Sequence, residues 1–217
     1  MKPIGVTRVA IVGGGVAGLA AGVELARRGC DVRLYEARDV VGGCASTTDV
    51  DGFRFNDGAL FVALPRLLDH AFARLGLDRV ACVPLRPIAV PQASWLPDGA
   101  RVALGAHTPL DAWTDAAKTA AAQPWIDALA RRHRLDIATL RVTSPRDHAE
   151  RLGLYEGALY GLSPAARPDQ QFPHVTPING LYLAGQTTYP GFGVTTSMLS
   201  GVFAADALAS LASRALR

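Results

Sequence analysis

Three glycines near the start of the chain, Gly13, Gly15 and Gly18, stand in the spacing Gly-x-Gly-x-x-Gly. That spacing suits phosphate binding where a strand turns into a helix. Gly13 permits the tight turn, Gly15 lets backbone approach a pyrophosphate, and Gly18 lets the helix pack close to the strand. Gly14, Val16 and Ala17 complete the turn. Free N–H groups and the helix dipole then favour an anion at this point. Glu36 lies 21 residues past Gly15. A carboxylate there accepts hydrogen bonds from an adenosine ribose and repels a 2′-phosphate. A glycine pair, Gly42-Gly43, follows and marks a second close backbone approach.

The elements that must position these residues are legible. Arg8 to Val12 is a short β-branched run, expected as a buried parallel strand. A helix is expected from Val16 to about Arg28, with Leu19, Val23 and Leu25 on an apolar stripe and Gly29 just after its end. Asp31 to Tyr35 is a second strand, so the glycine motif sits inside a complete βαβ unit. Asp51-Gly52 is a turn signal, and Phe53 and Phe55 alternate as in a hairpin.

Composition bounds the rest. The chain has 217 residues, 49% apolar and 19% charged, with a net charge of +3. A core is affordable at this length, and the small dispersed charge gives no basis for nucleic-acid binding. Cys30, Cys44 and Cys82 are odd in number and scattered, which argues against a disulfide framework and for a reducing, cytoplasmic setting. Neither they nor the histidines show metal-ligand spacing, so no metal is expected. No signal peptide is read at the N-terminus, and no uncharged apolar run long enough to span a membrane is found. Peripheral membrane contact stays open.

Taken together, the motifs from Val9 to Gly58 resemble the N-terminal FAD-binding region of the carotenoid (phytoene) desaturase and isomerase flavoproteins, within the amine oxidase superfamily. The matching pieces are Gly13-x-Gly15-x-x-Gly18, Glu36-Ala37, Gly42-Gly43-x-Ala45-Ser46 and Gly52-Phe53-x-Phe55-Asn56-x-Gly58. The resemblance implies FAD as cofactor, with Ala37, Arg38, Cys44, Ala45, Gly58 and Ala59 joining the glycines and Glu36 around it. Two positions depart from the family pattern: Cys44 replaces an Arg, and Asn56 replaces an Asp. The lost Arg removes a positive group near the pyrophosphate or flavin. Cys44 reads as a small apolar filler before it reads as a redox group.

The far end resembles the same family. Leu181 to Gly185 is expected as a buried strand, followed by a loop containing Gln186 and Pro190-Gly191-x-Gly193-Val194. A helix is then expected from about Thr195 to Leu216, with Leu199, Phe203, Ala207 and Leu211 on one face. The resemblance makes this the second FAD element, with Gly185, Gln186, Gly193, Val194 and Thr195 at the flavin. A plain NAD site needs neither this loop nor the Gly42-Gly43 pair. Tyr155, Tyr160 and Tyr189 are candidates for the substrate side, or for packing the loop. Ser144-Pro145 is a helix start.

The middle is less legible. A helix is expected from Pro65 to Gly76. Short strands are expected at Ser94–Leu96 and Arg101–Leu104, and two helices broken at Pro124 between Leu110 and Arg134. The basic run Arg131 to Arg134 reads as a solvated helix end. The fold expected is α/β: a single Rossmann-like FAD-binding domain, residues 1–217, built from elements at 1–60 and 144–217. Residues 61–143 form a reduced insert, so the substrate-cap domain is reduced or absent. The function expected is a small FAD-dependent oxidoreductase acting on an apolar or conjugated small molecule. No catalytic acid–base residue is identified. A homodimer or a second protein is expected to complete the pocket. The alternatives are a non-catalytic flavin-binding subunit and an NAD-dependent reductase.

Overall fold

The computed structural model describes residues 7–58, 62, 64–86, 109–138, 140–154, 157–158, 160, 162 and 167–215. The chain divides into two compact units, one of residues 1–87 and 160–217, the other of residues 88–159. The second unit overlaps the stretch 61–143 that the sequence reads as the insert. The helix after Pro65 belongs to the first unit, whose core it enters with Leu68, Ala71 and Phe72.

The first unit begins with the βαβ element. Strand β1 (Arg8–Val12) runs parallel to β2 (Asp31–Tyr35), with Arg8 opposite Asp31 and Val12 opposite Tyr35. Helix α1 (Val16–Arg27) connects them, and Gly29 follows at φ +88°. The expected apolar stripe on α1 is displaced. Leu19 and Val23 are exposed, while Ala17, Ala20, Ala21 and Leu25 are buried. The reason is helix α6 (Val194–Ala215), which packs along α1. At Gly201 the two backbones come so close that an added Cβ would lie 2.1 Å from Ala17 O. Only small residues fit beneath such a crossing. The buried stripe of α6 is rotated accordingly: Met198, Leu199, Val202, Ala205 and Ala209 are buried, while Leu211 is exposed.

Helix α2 (Pro65–Arg74) sets Leu68, Ala71, Phe72 and, just past its end, Leu75 against Met198, Leu199 and Val202 of α6. A second cluster joins Leu25 and Cys30 to Ala205 and Ala209. An ion cluster crosses the same helices. Arg28, just past the end of α1, pairs with Glu24, which is 1% exposed, and with Asp206 on α6. Arg74 on α2 reaches Asp206 at 2.7 Å.

The strands are not buried on both faces as expected. Val9 and Val32 face the core, but Val12 is 89% exposed and Tyr35 55% exposed. Parallel sheets are ordinarily covered on both sides. The outer face carries Arg8, Ala10, Arg33 and Asp31 beside Val12 and Tyr35, and a shallow depression lies among the first four with Val9. The expected hairpin is present as β3 (Thr47–Val50) antiparallel to β4 (Phe53–Asn56). Its turn residues Asp51 and Gly52 have φ of +53° and +82°. Two successive positive values are what a type I′ turn requires. A short helix, α3 (Arg79–Cys82), follows α2.

The expected strand at Leu181–Gly185 does not form. Tyr182 makes an isolated bridge with Val175, and Leu181 and Leu183 are exposed.

In the second unit, α4 (Asp115–His133) runs unbroken through Pro124, where two helices are expected. Pro124 and its neighbours are exposed, so the backbone group it leaves unpaired is met by water. Arg131 to Arg134 form an exposed helix end, as expected. Helix α5 (Pro145–Leu152) starts at a capping box in which Ser144 and Asp147 satisfy each other's backbone N–H. Lys118 of α4 reaches Asp147 at 3.1 Å. The strands expected at 94–96 and 101–104 lie outside the described residues.

Candidate functional site

The site begins where β1 ends. Gly13 adopts φ +102°, and its N–H donates to Tyr35 O at 2.8 Å, tying the turn to the end of β2. A Cβ at Gly18 would sit 2.1 Å from Gly13 O, so glycine is needed there for space. Gly15 caps α1 without a side-chain acceptor, and the first turn holds no acidic residue. The helix start around Val16, Ala17 and Gly18 therefore carries donors that no side chain among the described residues caps.

The structure brings the second glycine pair onto this turn. Gly42 N–H donates to Gly14 O at 2.8 Å, and Gly15 and Gly42 form a parallel bridge. A Cβ at Gly43 would lie 3.1 Å from Gly15 Cα. Gly42 and Gly43 have φ of +121° and +60°. The two motifs thus form one backbone-lined cradle at the N-terminus of α1.

Glu36, Ala37 and Arg38 follow β2 beside it. Gly14 N–H donates to Glu36 Oε2 at 2.6 Å, and Arg38 N–H donates to Oε1 at 3.1 Å. These bonds, Gly14's first, hold the Glu36 carboxyl below its usual value. Glu36 is therefore ionised and already anchored, with lone pairs left for ribose hydroxyls. The Arg38 guanidinium lies 3.7 Å from Glu36 and donates to Gly43 O and Ser46 Oγ, bracing the second turn.

Cys44 and Ala45 sit in a single 3-10 turn, both half-buried. A Cβ at Gly58 would lie 2.8 Å from Cys44 O, so Gly58 serves the close packing of the hairpin end against this turn. Sequence reasoning missed the tie that holds the two together. Asp57 accepts from Thr48 Oγ1 at 2.7 Å, and Ser46 Oγ–H is shared between Asp57 Oδ2 and Gly43 O, each 2.7 Å away. Ala59 and Tyr155 lie outside the described residues.

The third glycine cluster is the loop leading into α6. Gly185, Gly191 and Gly193 have φ of +142°, +106° and +110°. Gln186 is half-buried within it, Val194 opens the helix, and Thr195 is buried. No acidic residue occupies the first turn of α6. From Val194 to the crossing at Gly201 the helix rises about 10 Å. The crossing meets α1 at Ala17, one residue into that helix, so both helix starts lie on the same side of the unit. Tyr189 stacks on Phe203 at 5.8 Å, and Tyr160 lies 4.6 Å from Phe192. Both tyrosines are about half exposed, at 51% and 50%.

The family described as "NAD(P)-binding Rossmann-like domain" matches residues 11–75. The chain is 44% identical over 70 residues to a carotenoid 3,4-desaturase of Haloarcula japonica, covering 32% of this chain and 14% of that protein. It is 39% identical over 85 residues to a phytoene dehydrogenase of Streptomyces griseus, covering 38% of this chain and 17% of that one. Among solved structures, a CLA-producing fatty acid isomerase from P. acnes is 32% identical, covering 35% of this chain and 18% of that one, with a TM-score of 0.28. The chain thus spans a small part of the length of these relatives. Over that part, residues 11–75, its cradle of glycines matches a Rossmann-like nucleotide-binding domain and is similar to the same region of the carotenoid desaturase and the phytoene dehydrogenase.

Proposed function

We propose that this chain binds FAD and serves an oxidoreductase acting on an apolar or conjugated small molecule. The observation that carries the reading is the contact between two glycine turns far apart in sequence, Gly13–Gly18 and Gly42–Gly43. A plain nicotinamide site needs only the first. The names of the relatives, a carotenoid desaturase and a phytoene dehydrogenase, support both the chemistry and the substrate class.

The residues present fit the cofactor. Glycine at 15 and 43 lets the two turns touch, so that a diphosphate would meet backbone from both. The start of α1 offers it N–H groups. Glu36 would accept from the ribose of the adenosine half. The loop from Gly185 and the start of α6 would direct a positive dipole end at the flavin half. Bound FAD supplies a two-electron acceptor for hydride. The protein's own part is to bind and orient, and to exclude water from the reacting face.

We further propose that a second copy or another protein covers the outer sheet face at Val12 and Tyr35. An exposed parallel-sheet face supports this. Three cysteines, Cys30, Cys44 and Cys82, scattered and in no disulfide among the described residues, support a reducing, cytoplasmic setting.

The test is direct. Purified protein should be yellow, with a flavin spectrum that bleaches on adding dithionite. A colourless protein that cannot be reconstituted with FAD overturns the cofactor. A protein that is monomeric by light scattering and fully active alone overturns the partner.

A further inference from the structure

The loop that would face the flavin contains three glycines with positive φ in nine residues, Gly185, Gly191 and Gly193. Such a segment loses much conformational entropy on ordering. Something must hold it in one shape. A Cβ at Gly185 would meet nothing within 4 Å, so space does not fix its conformation.

Two buried hydroxyls do. Thr188 is 1% exposed and Ser200 is 0% exposed. Gly185 N–H donates to Ser200 Oγ at 3.0 Å. Thr188 Oγ1 donates to Gly185 O at 2.8 Å. The two hydroxyls are bonded to each other. Proton bookkeeping allows one arrangement. Thr188 spends its proton on Gly185 O, so Ser200 donates to Thr188. The result is a closed circuit: Gly185 N–H to Ser200, Ser200 to Thr188, Thr188 back to Gly185 O. Each member is satisfied, and both polar groups of Gly185 are held. Ser200 lies on α6 one residue before the crossing glycine Gly201, where the helix is locked against α1. Gly185 is thereby tied to the rigid core through Ser200 as well as to Thr188 within the loop, whose N–H also donates to Gly185 O at 3.2 Å.

We propose that Thr188 and Ser200 are positioning residues for the dinucleotide site, clamping Gly185 so that the loop and the start of α6 are presented to the ligand in one arrangement. The assignment rests on the FAD reading above. It goes beyond that reading in naming two residues that touch no ligand and yet set affinity.

The experiment compares Thr188→Val, Ser200→Ala and Thr188→Ser with the unmodified protein. FAD affinity is read by quenching of flavin fluorescence. Hydrogen exchange of residues 185–193 is read in the FAD-free protein. Thr188→Val and Ser200→Ala should each weaken FAD binding about tenfold, the effect of one unsatisfied buried group. They should speed exchange in the loop and leave α1 protected. Thr188→Ser keeps the hydroxyl and should match the unmodified protein on both readouts. Unchanged loop exchange in both disruptive variants overturns the clamp, as does a Thr188→Ser variant that loses as much as Thr188→Val. If the unmodified protein binds no FAD, the cofactor reading falls and the clamp is judged by exchange alone. If a variant fails to fold, exchange in the unmodified protein decides. A Gly185 amide as slow as the middle of α6 supports the clamp, and a fast one overturns it.

Discussion

Glu36 shows how much one side chain does before any ligand arrives. Its two oxygens are fixed by Gly14 N–H and Arg38 N–H, so the carboxylate braces the phosphate turn from the end of β2. Those bonds, Gly14's first, lower its pKa from an ordinary 4.5. A lowered carboxylate pKa means the ionised form is favoured in the folded state. The contribution is present above the unfolded value and is lost as pH falls through the folded one. FAD affinity should therefore be flat from neutral pH down to the ordinary 4.5 and decline only below it, as Glu36 takes up a proton in the folded protein. Glu36→Gln should weaken binding about tenfold at pH 7, since one charge-assisted acceptor is lost. Equal affinity in titrations of the variant and the unmodified protein would show that Glu36 takes no part.

The helices are placed by what is absent from them. Gly201 has no room for a Cβ against α1, whereas a Cβ at Gly22 would meet Ile11 Cδ1 at an ordinary 3.4 Å. The two glycines lie in the interiors of paired helices and make opposite predictions. Gly201→Ala should cost about 3 kcal/mol, because the added methyl must push backbone apart. Gly22→Ala should be neutral or gain about 1 kcal/mol, as alanine is the better helix former. Thermal melts of the two variants decide. A Gly201→Ala protein as stable as the parent would mean α1 and α6 are not in backbone contact. The same crossing explains why α6, although long and apolar enough over Val194–Leu211 to cross a membrane, has a buried stripe occupied by α1 and α2.

Over the whole first unit, one ion cluster ties three helices together. Burial works against a charged Asp206, and the bonds from Arg74 and Arg28 outweigh it, so its carboxyl lies below the ordinary 3.8. Arg28 is raised in turn, burial again opposing and Glu24 and Asp206 prevailing. A lowered acid stabilises above its unfolded value and ceases to do so as pH falls through the folded one. Acid unfolding should accordingly set in below about pH 4. Asp206→Asn should cost about 1–2 kcal/mol at pH 7, the range between an exposed pair and a buried one. The penalty should shrink in urea titrations as pH falls below the ordinary 3.8 toward the lower folded value. A penalty that does not change with pH would assign the effect to packing.

What the sequence determined by itself was the local chemistry. The turn at Gly13–Gly18, the hairpin at Asp51-Gly52 and the capping box at Ser144 each arise within a few residues, from backbone angles and short hydrogen bonds. Their residue types are nearly the only ones that satisfy those angles, which is why they can be read off. The tertiary structure alone decided which glycines face one another and which face of each helix is buried. Leu19 and Val23 read as core and are exposed, because the α1–α6 crossing at Gly201 selects alanines over leucines. Leu181–Gly185 reads as a strand, but its apolar and aromatic character finds only a single-bridge partner among the described residues. Ser200 and Asp206 carry no signal in the sequence, since a hydroxyl or carboxylate on a helix is ordinarily solvated. Their meaning comes from Gly185, Thr188, Arg28 and Arg74, partners 12 to 178 residues away that only folding brings within reach.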